Sequence, residues 1–139
     1  MTLRNMLDLK DIMKIVRSYL EKFDKIVFAY LYGSVARGEI HAFSDVDVAI
    51  YLKKTDLQYY MKILANFPDL GREVDVRLLN DAPPLFRYNV IKDGILILCR
   101  DKRIHEEFLF KTFIEALEIK DDIEKIIRNK FEVLVNARR

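Results

Sequence analysis

The spacing of hydrophobic residues predicts alternating helices and strands in the first half of the chain. Residues 7–23 place apolar side chains three and four positions apart, which is typical of an amphipathic helix that covers a sheet. Residues 25–32 and 45–52 form apolar runs of strand length. A second amphipathic helix is expected from Thr55 or Asp56 to about residue 67, where a proline and a glycine follow.

The alternation continues as far as residue 99. A strand is predicted at residues 72–79, and the sequence Asp-Ala-Pro-Pro at 81–84 is a helix-start signal for a helix that ends at Gly94. The apolar run at residues 95–99 is the fourth predicted strand. This order predicts a mixed α/β (α+β) fold in which helices pack on a mixed four-stranded sheet.

Residues 101–139 predict a long C-terminal helix, or a helix pair if the chain breaks near residues 118–122. Its first half is expected to pack on the sheet, with His105 at the surface or in an interface. Its second half carries an apolar stripe, which is usually core and alternatively a surface for a partner or a second copy. We expect one domain over residues 1–139, with a core at about 8–118 and a helical extension at about 119–139.

Composition narrows the class of protein. A chain of 139 residues with 51% hydrophobic content is expected to bury about two-thirds of its unfolded surface in one core. The net charge of +2 disfavours generic nucleic-acid binding. The single Cys99 is expected to be a buried apolar side chain, and no hydrophobic stretch has the length of a signal or a membrane span. These features predict a soluble, cytoplasmic protein.

The residues between the first two strands suggest a phosphate-binding turn. Gly33 ends the first apolar run, and Ser34 is expected to cap a helix that begins directly after it. The free N–H groups of such a helix start favour anions, so a nucleoside triphosphate fits there. Arg37 adds a positive charge close by.

Two carboxylates follow at strand spacing. Asp45 and Asp47 are two residues apart, so both side chains are expected on one face of the second strand. Adjacent carboxylates repel each other unless a cation lies between them, and Mg²⁺ prefers oxygen ligands together with substrate phosphates. The pair therefore predicts half of a two-metal site. Alone, a Gly-Ser pair is a common turn and Asp-x-Asp is often a solvated strand edge.

Together these residues resemble the DNA polymerase beta nucleotidyltransferase superfamily, whose signature is Gly-Ser, ten residues, then Asp-x-Asp. Within it, the chain is most similar over residues 8–118 to minimal nucleotidyltransferases, in particular the MntA-like antitoxins that are paired with HEPN ribonuclease toxins. The resemblance implies that Gly33 and Ser34 hold phosphates and that Asp45 and Asp47 bind two Mg²⁺ ions. It also implies a third acid on a neighbouring strand, which completes the metal site and helps to deprotonate the acceptor hydroxyl.

Asp75 is the candidate for that third acid, because valines flank it within a predicted strand. Asp69 and Asp81 are less suitable, since both lie in turn-like sequence beside prolines. His41 lies in the motif loop, where a plain loop role is favoured over substrate contact. The catalytic and metal-binding set is therefore Asp45, Asp47 and Asp75, and the nucleotide-binding set is Gly33, Ser34 and Arg37.

The resemblance further implies that the protein transfers AMP from ATP to a hydroxyl, namely a tyrosine of a HEPN toxin, and so acts as its antitoxin. One alternative is a nucleotidyltransferase that acts on a small molecule or a nucleic-acid end. Another is a non-catalytic antitoxin that binds the toxin sterically. The sequence leaves open the base preference, the acceptor, the oligomeric state, and whether the C-terminal helix binds a partner.

Overall fold

The computed structural model describes residues 7–40 and 44–137, and the elements in these residues follow the predicted order. His41, for which a loop role was predicted, lies outside the described residues. In the described part, no helix is both long enough and apolar enough to cross a bilayer. The elements, in chain order, are α1 (Leu9–Leu20), β1 (Ile26–Tyr32), α2 (Gly33–Ala36), β2 (Val46–Leu52), α3 (Leu57–Ala65), β3 (Val74–Leu78), α4 (Pro84–Asp93), β4 (Ile95–Cys99) and α5 (Lys102–Ala137).

Local capping fixes where the first helices begin. Asp8 accepts a hydrogen bond from the Asp11 backbone N–H at 2.8 Å, and the Asp11 carboxylate accepts one from the Asp8 N–H. This capping box satisfies two donors that a helix start leaves unpaired. Asp56, one of the two predicted caps, accepts from the Tyr59 N–H at the start of α3. Both starts therefore follow from the local sequence.

The four strands form one mixed sheet in the order β3-β2-β1-β4. β1 lies antiparallel to both β2 and β4, whereas β2 and β3 are parallel. The register pairs Tyr32 with Asp47 and Asp47 with Asp75. Because residues directly opposite each other project from the same face, these three side chains form a row across three strands.

The two faces of the sheet are covered by different helix pairs. On one face, α1 and α3 pack on an apolar surface that includes Leu31, Val48 and Ile50, all with 0% exposure. On the other face, α4 and α5 pack on Phe28, Tyr30 and Ala49, which are also buried. The row of Tyr32, Asp47 and Asp75 belongs to this second face, at its open end.

The prediction that Cys99 is buried is wrong. Cys99 is exposed, and it is the last residue of β4, which is an edge strand of the sheet. An apolar run in a strand does not reveal whether both of its faces are covered. Only the strand order decides that point.

Helix α5 runs unbroken from Lys102 to Ala137, so the possible break near residues 118–122 does not occur. Its first half packs on the body through His105, Phe108, Thr112 and Ala116. The surface position expected for His105 is wrong: the side chain is 8% exposed and its Nε2 shares a hydrogen bond with the Tyr30 hydroxyl. Burial lowers the pKa of His105. The second half of α5 is exposed throughout.

Candidate active site

The turn between β1 and α2 depends on Gly33. This residue has φ +76°, a left-handed conformation that glycine adopts without steric cost. α2 begins at Gly33 itself, so Ser34 lies inside the helix and Tyr32 occupies the N-cap position with no side-chain cap bond. The predicted capping role of Ser34 is therefore wrong, because the helix begins one residue earlier, at Gly33. The N–H groups of this first turn lack intrahelical acceptors, as in any helix start.

Asp47 packs directly against this turn. A Cβ placed on Gly33 would lie 2.2 Å from Asp47 Oδ2, far inside van der Waals contact. Only glycine leaves room for the carboxylate at this position. The fold thereby joins the two halves of the sequence motif, a backbone turn with free donors and an acidic side chain.

The three predicted acids lie close together at the end of the second face. Asp47 and Asp75 are register partners on adjacent parallel strands, and Asp45 lies two residues before Asp47 at the entrance to β2. Burial raises the pKa of Asp47, and the negative charges of Asp75 and Asp45 raise it further. Arg77 and Arg37 oppose this shift. Negative charge is thus concentrated around Asp47, which favours a bound cation.

Arg77 belongs to the site and was missed in the sequence. Its Nε donates a hydrogen bond to Asp75 Oδ2 at 3.0 Å, and its guanidinium lies 5.6 Å from the centre of the Phe86 ring. Arg77 follows Asp75 by two residues in β3, so strand periodicity alone places both side chains on one face. Across residues 7–40 and 44–137, no three His, Cys, Asp or Glu side chains converge tightly enough to hold a metal ion as they stand.

Aromatic side chains border the acids. The Tyr32 ring meets the Phe86 ring edge to face at a centroid distance of 5.8 Å. Burial, followed by the charge of Asp47, raises the pKa of Tyr32 to about 12, so its hydroxyl stays neutral. A cavity of about 470 Å³ opens at the β3 edge, and Tyr60, Arg77 and Phe86 are among its lining residues.

The loop between α2 and β2 is tied to the body at both described ends. Arg37 follows α2 directly, is about half exposed, and pairs with Glu39 at 3.5 Å. Ser44 is buried and donates a hydrogen bond to the Glu39 carbonyl at 3.2 Å. Arg72 donates to the Ser44 carbonyl at 3.2 Å. These bonds fix the chain just before Asp45.

The two rejected acids, Asp69 and Asp81, lie in loops outside the row of Tyr32, Asp47 and Asp75. Asp69 accepts a hydrogen bond from the Gly71 N–H at 2.8 Å in a turn. Asp81 accepts one from the Thr55 hydroxyl at 3.3 Å. Neither residue is a register partner of Asp47, whereas Asp75 is. Asp81 lines the cavity at the β3 edge.

Comparisons with known proteins give matches over more than half of this chain. The family model for polymerase beta nucleotidyltransferases matches residues 14–103. A candidate protein adenylyltransferase from Methanocaldococcus jannaschii is 30% identical over 108 residues, which are 77% of this chain and 80% of that protein.

Two solved structures share the fold. A chain from a toxin–antitoxin crystal structure with AMP-PNP has a TM-score of 0.69 at 22% identity, and the match covers 84% of this chain and 96% of that chain. A chain from the complex of a tri-AMPylated Shewanella oneidensis HEPN toxin with an MNT antitoxin has a TM-score of 0.60 at 21% identity, covering 90% and 97%. The predicted nucleotidyltransferase fold is therefore confirmed.

Proposed function

Because the chain belongs to the polymerase beta nucleotidyltransferase family, we propose that this enzyme transfers AMP from ATP to a tyrosine hydroxyl of a HEPN ribonuclease toxin. Modification of the toxin would silence it, which makes the protein an antitoxin. The observation that carries the proposal is the row of Tyr32, Asp47 and Asp75 next to the Gly33 turn. In this row, acidic side chains lie beside a backbone turn that would bind phosphate.

The acids suit a hard divalent cation. Asp45, Asp47 and Asp75 offer carboxylate oxygens, the ligands that Mg²⁺ prefers. Burial, followed by the negative charges of Asp75 and Asp45, raises the pKa of Asp47, and a bound cation would offset both effects. We assign Mg²⁺ binding to these three residues. When bound, Mg²⁺ neutralises charge on the triphosphate.

The chain's own residues would orient the nucleotide. The backbone N–H groups at Gly33 and Ser34 would donate to phosphate oxygens, as helix starts do elsewhere. Arg37, whose positive charge lowers the pKa of Asp47, would add positive charge on the same side. These contacts would hold the α-phosphorus near the acids, so placement supplies much of the catalysis.

The acceptor hydroxyl would approach from the β3 side. Asp75 would take its proton as the oxygen forms a bond to the α-phosphorus, and the bond from that phosphorus to pyrophosphate would break. Arg77 holds the Asp75 carboxylate through its Nε and would keep it oriented toward the acceptor. Transfer in line requires the acceptor opposite the leaving group, and the β3 edge lies across Asp47 from the Gly33 turn.

The acceptor class is supported by the relatives. One is named as a candidate protein adenylyltransferase, and one structural neighbour comes from a complex that contains a tri-AMPylated HEPN toxin. Another neighbour comes from a toxin–antitoxin structure with AMP-PNP, an ATP analogue. Together they support ATP as donor and a toxin protein as acceptor.

The proposal is tested by intact-mass measurement. The purified protein is mixed with ATP, Mg²⁺ and the protein encoded by the neighbouring gene, and we expect the partner to gain one or more AMP masses on tyrosine. The Asp45→Ala variant should transfer none, while Asp69→Ala, which removes a turn acid outside the row, should transfer normally.

Other outcomes identify the alternatives. Pyrophosphate release without any partner protein would indicate a small molecule or a nucleic-acid end as acceptor. An unmodified toxin that is nevertheless inhibited, and is inhibited equally by Asp45→Ala, would indicate a steric antitoxin. Either result would overturn the proposed protein AMP transfer.

A further inference from the structure

The second half of α5 exposes a long apolar stripe. We call residues 118–137 the C-terminal overhang. Ile127, Phe131 and Leu134 are 62%, 66% and 64% exposed, and Ile123 and Ile126 are also exposed. Twenty helical residues extend for about 30 Å. Isolated exposed apolar residues are ordinary, but a continuous stripe of this length marks a contact surface.

The stripe continues the face by which α5 packs on its own domain. Ala116, which is buried, is followed at helical spacing by Ile119, Ile123, Ile127 and Leu134. Where the body ends, α4 and α5 leave a cavity of about 690 Å³. Its lining includes Leu85, Tyr88, Phe113, Ala116, Leu117 and Ile123.

The charges of the overhang are segregated along its length. Residues 118–124 contain four acidic residues and one lysine, a net charge of −3. Residues 125–137 contain three basic residues and one acid, Glu132, a net charge of +2. Two such helices side by side in parallel would place like charges together, whereas an antiparallel pair would place opposite charges together.

We propose that the overhang pairs antiparallel with the overhang of a second copy of this chain. The surface is self-complementary in both hydrophobicity and charge, as a two-fold interface requires. A stable interface buries at least about 1,200 Å² in total. Two apolar stripes about 30 Å long, each with several large side chains, are suited to an area of that order.

The pairing also predicts what fills the cavity. Matching the acidic half of one copy with the basic half of the other centres the pair near residue 125. This alignment brings Phe131 and Leu134 of the second copy beside Ile119 and Ala116 of the first. The end of each overhang would thus enter the apolar cavity at the base of the other, and Ile123 would meet Ile127 at the centre.

Light scattering coupled to size exclusion tests the pairing on the full chain. We expect twice the chain mass of 16.5 kDa for the wild type. Ile127→Asp should give a monomer, because it places a carboxylate in the centre of the apolar contact. Asn136→Asp adds the same side chain on the polar side of the same helix and should leave the dimer intact. Circular dichroism checks that each variant is folded.

Cross-linking tests the direction. In a Cys99→Ser background, Ile119→Cys and Phe131→Cys are made separately. Oxidation of the two variants mixed should form a disulfide-linked dimer, whereas each variant alone should form little. Self-linking of each variant alone would indicate parallel helices and overturn the proposal. A wild type that stays monomeric, or binds only a different protein through this stripe, would also overturn it.

Discussion

The two faces of the sheet are built from the same strands but have different roles. In β2, Val48 and Ile50 point to the α1 and α3 face and are fully buried among aliphatic side chains. Asp47 and Ala49 point to the other face, where Ala49 lies under α4 and α5 and Asp47 lies beyond their cover. Successive side chains of one strand therefore face either an uncharged core or a site where negative charge is concentrated.

The contrast follows from helix cover. α1 and α3 enclose their face, so water has no access and charge there would be costly. The opposite face is aromatic and contains polar partners, including the hydrogen bond between Tyr30 and His105, and its end near Gly33 stays open. Solvation at that open end lets three carboxylates coexist, and the residues there are free to bind a charged substrate.

The largest expected effect comes from placing a charge on the enclosed face. Val48→Asp should cost at least about 4 kcal/mol of unfolding free energy, because it buries an unpaired carboxylate. Urea denaturation followed by circular dichroism measures it. The neighbouring Asp47→Asn variant should lose no stability. Equal losses from both variants would contradict the division between the two faces.

Next in size is the effect of Asp47→Asn on AMP transfer. We expect a loss of about 1,000-fold, or about 4 kcal/mol, because the central carboxylate of the site is removed. Initial rates with the toxin as acceptor measure it. A rate within tenfold of wild type would show that Asp47 does not take part.

The same variant tests how the raised pKa of Asp47 affects the pH dependence of stability. Because the pKa of Asp47 is raised in the folded state, that state binds more protons between the ordinary value of 3.8 and the raised value. Stability should therefore fall as pH rises through this range, and Asp47→Asn should remove this fall. Near neutral pH, the variant should be more stable than wild type, because it removes a carboxylate whose charged form the folded state disfavours.

Gly33→Ala should have an intermediate effect. The new methyl group would meet Asp47 Oδ2 at 2.2 Å in a left-handed backbone conformation, so we expect a loss of about 1–3 kcal/mol in stability together with slower transfer. Gly38→Ala is the matched control, since Gly38 has φ +79° but nothing within 4 Å of the added Cβ. Similar transfer rates for both variants would contradict close packing of Asp47 on the turn.

A smaller loss of stability than that of Val48→Asp is expected at the buried hydrogen bond of the aromatic face. Tyr30→Phe should cost about 1–2 kcal/mol, because it leaves His105 Nε2 without its partner. Tyr51→Phe, on the same face, should cost less. Chemical denaturation of the three proteins measures the difference, and an equal cost for both variants would argue against a stabilising bond.

His105 itself gives a pH dependence of opposite sign to that of Asp47. Its pKa is lowered by burial, so the unfolded state binds more protons at and below the ordinary value of 6.5. Stability should therefore fall as pH drops through 6.5, and His105→Gln should reduce that fall. Denaturation on either side of pH 6.5 measures the slopes.

Much of the fold was predictable from local signals. Asp8 and Asp56 lie at helix starts, Gly94 ends α4, and the four strands lie within two residues of the predicted bounds. The predicted burial of Cys99 and the surface position that was one of the two expected for His105 are wrong, because each depends on which neighbour covers the residue. The position of Arg77 on the same face as Asp75 could have been predicted from strand periodicity. Its contact with Phe86 of α4 could not, because that contact is between distant elements.

The sequence by itself determined the element order, the shared face of Asp45 and Asp47, and the presence of glycine at the turn. These are local properties, since period and backbone freedom act over a few residues. Only the tertiary structure decided that β3 lies beside β2 in a register that pairs Asp75 with Asp47, and that the second half of α5 extends beyond the body. Strand pairing and helix cover join residues far apart in the chain, so local periodicity does not specify them.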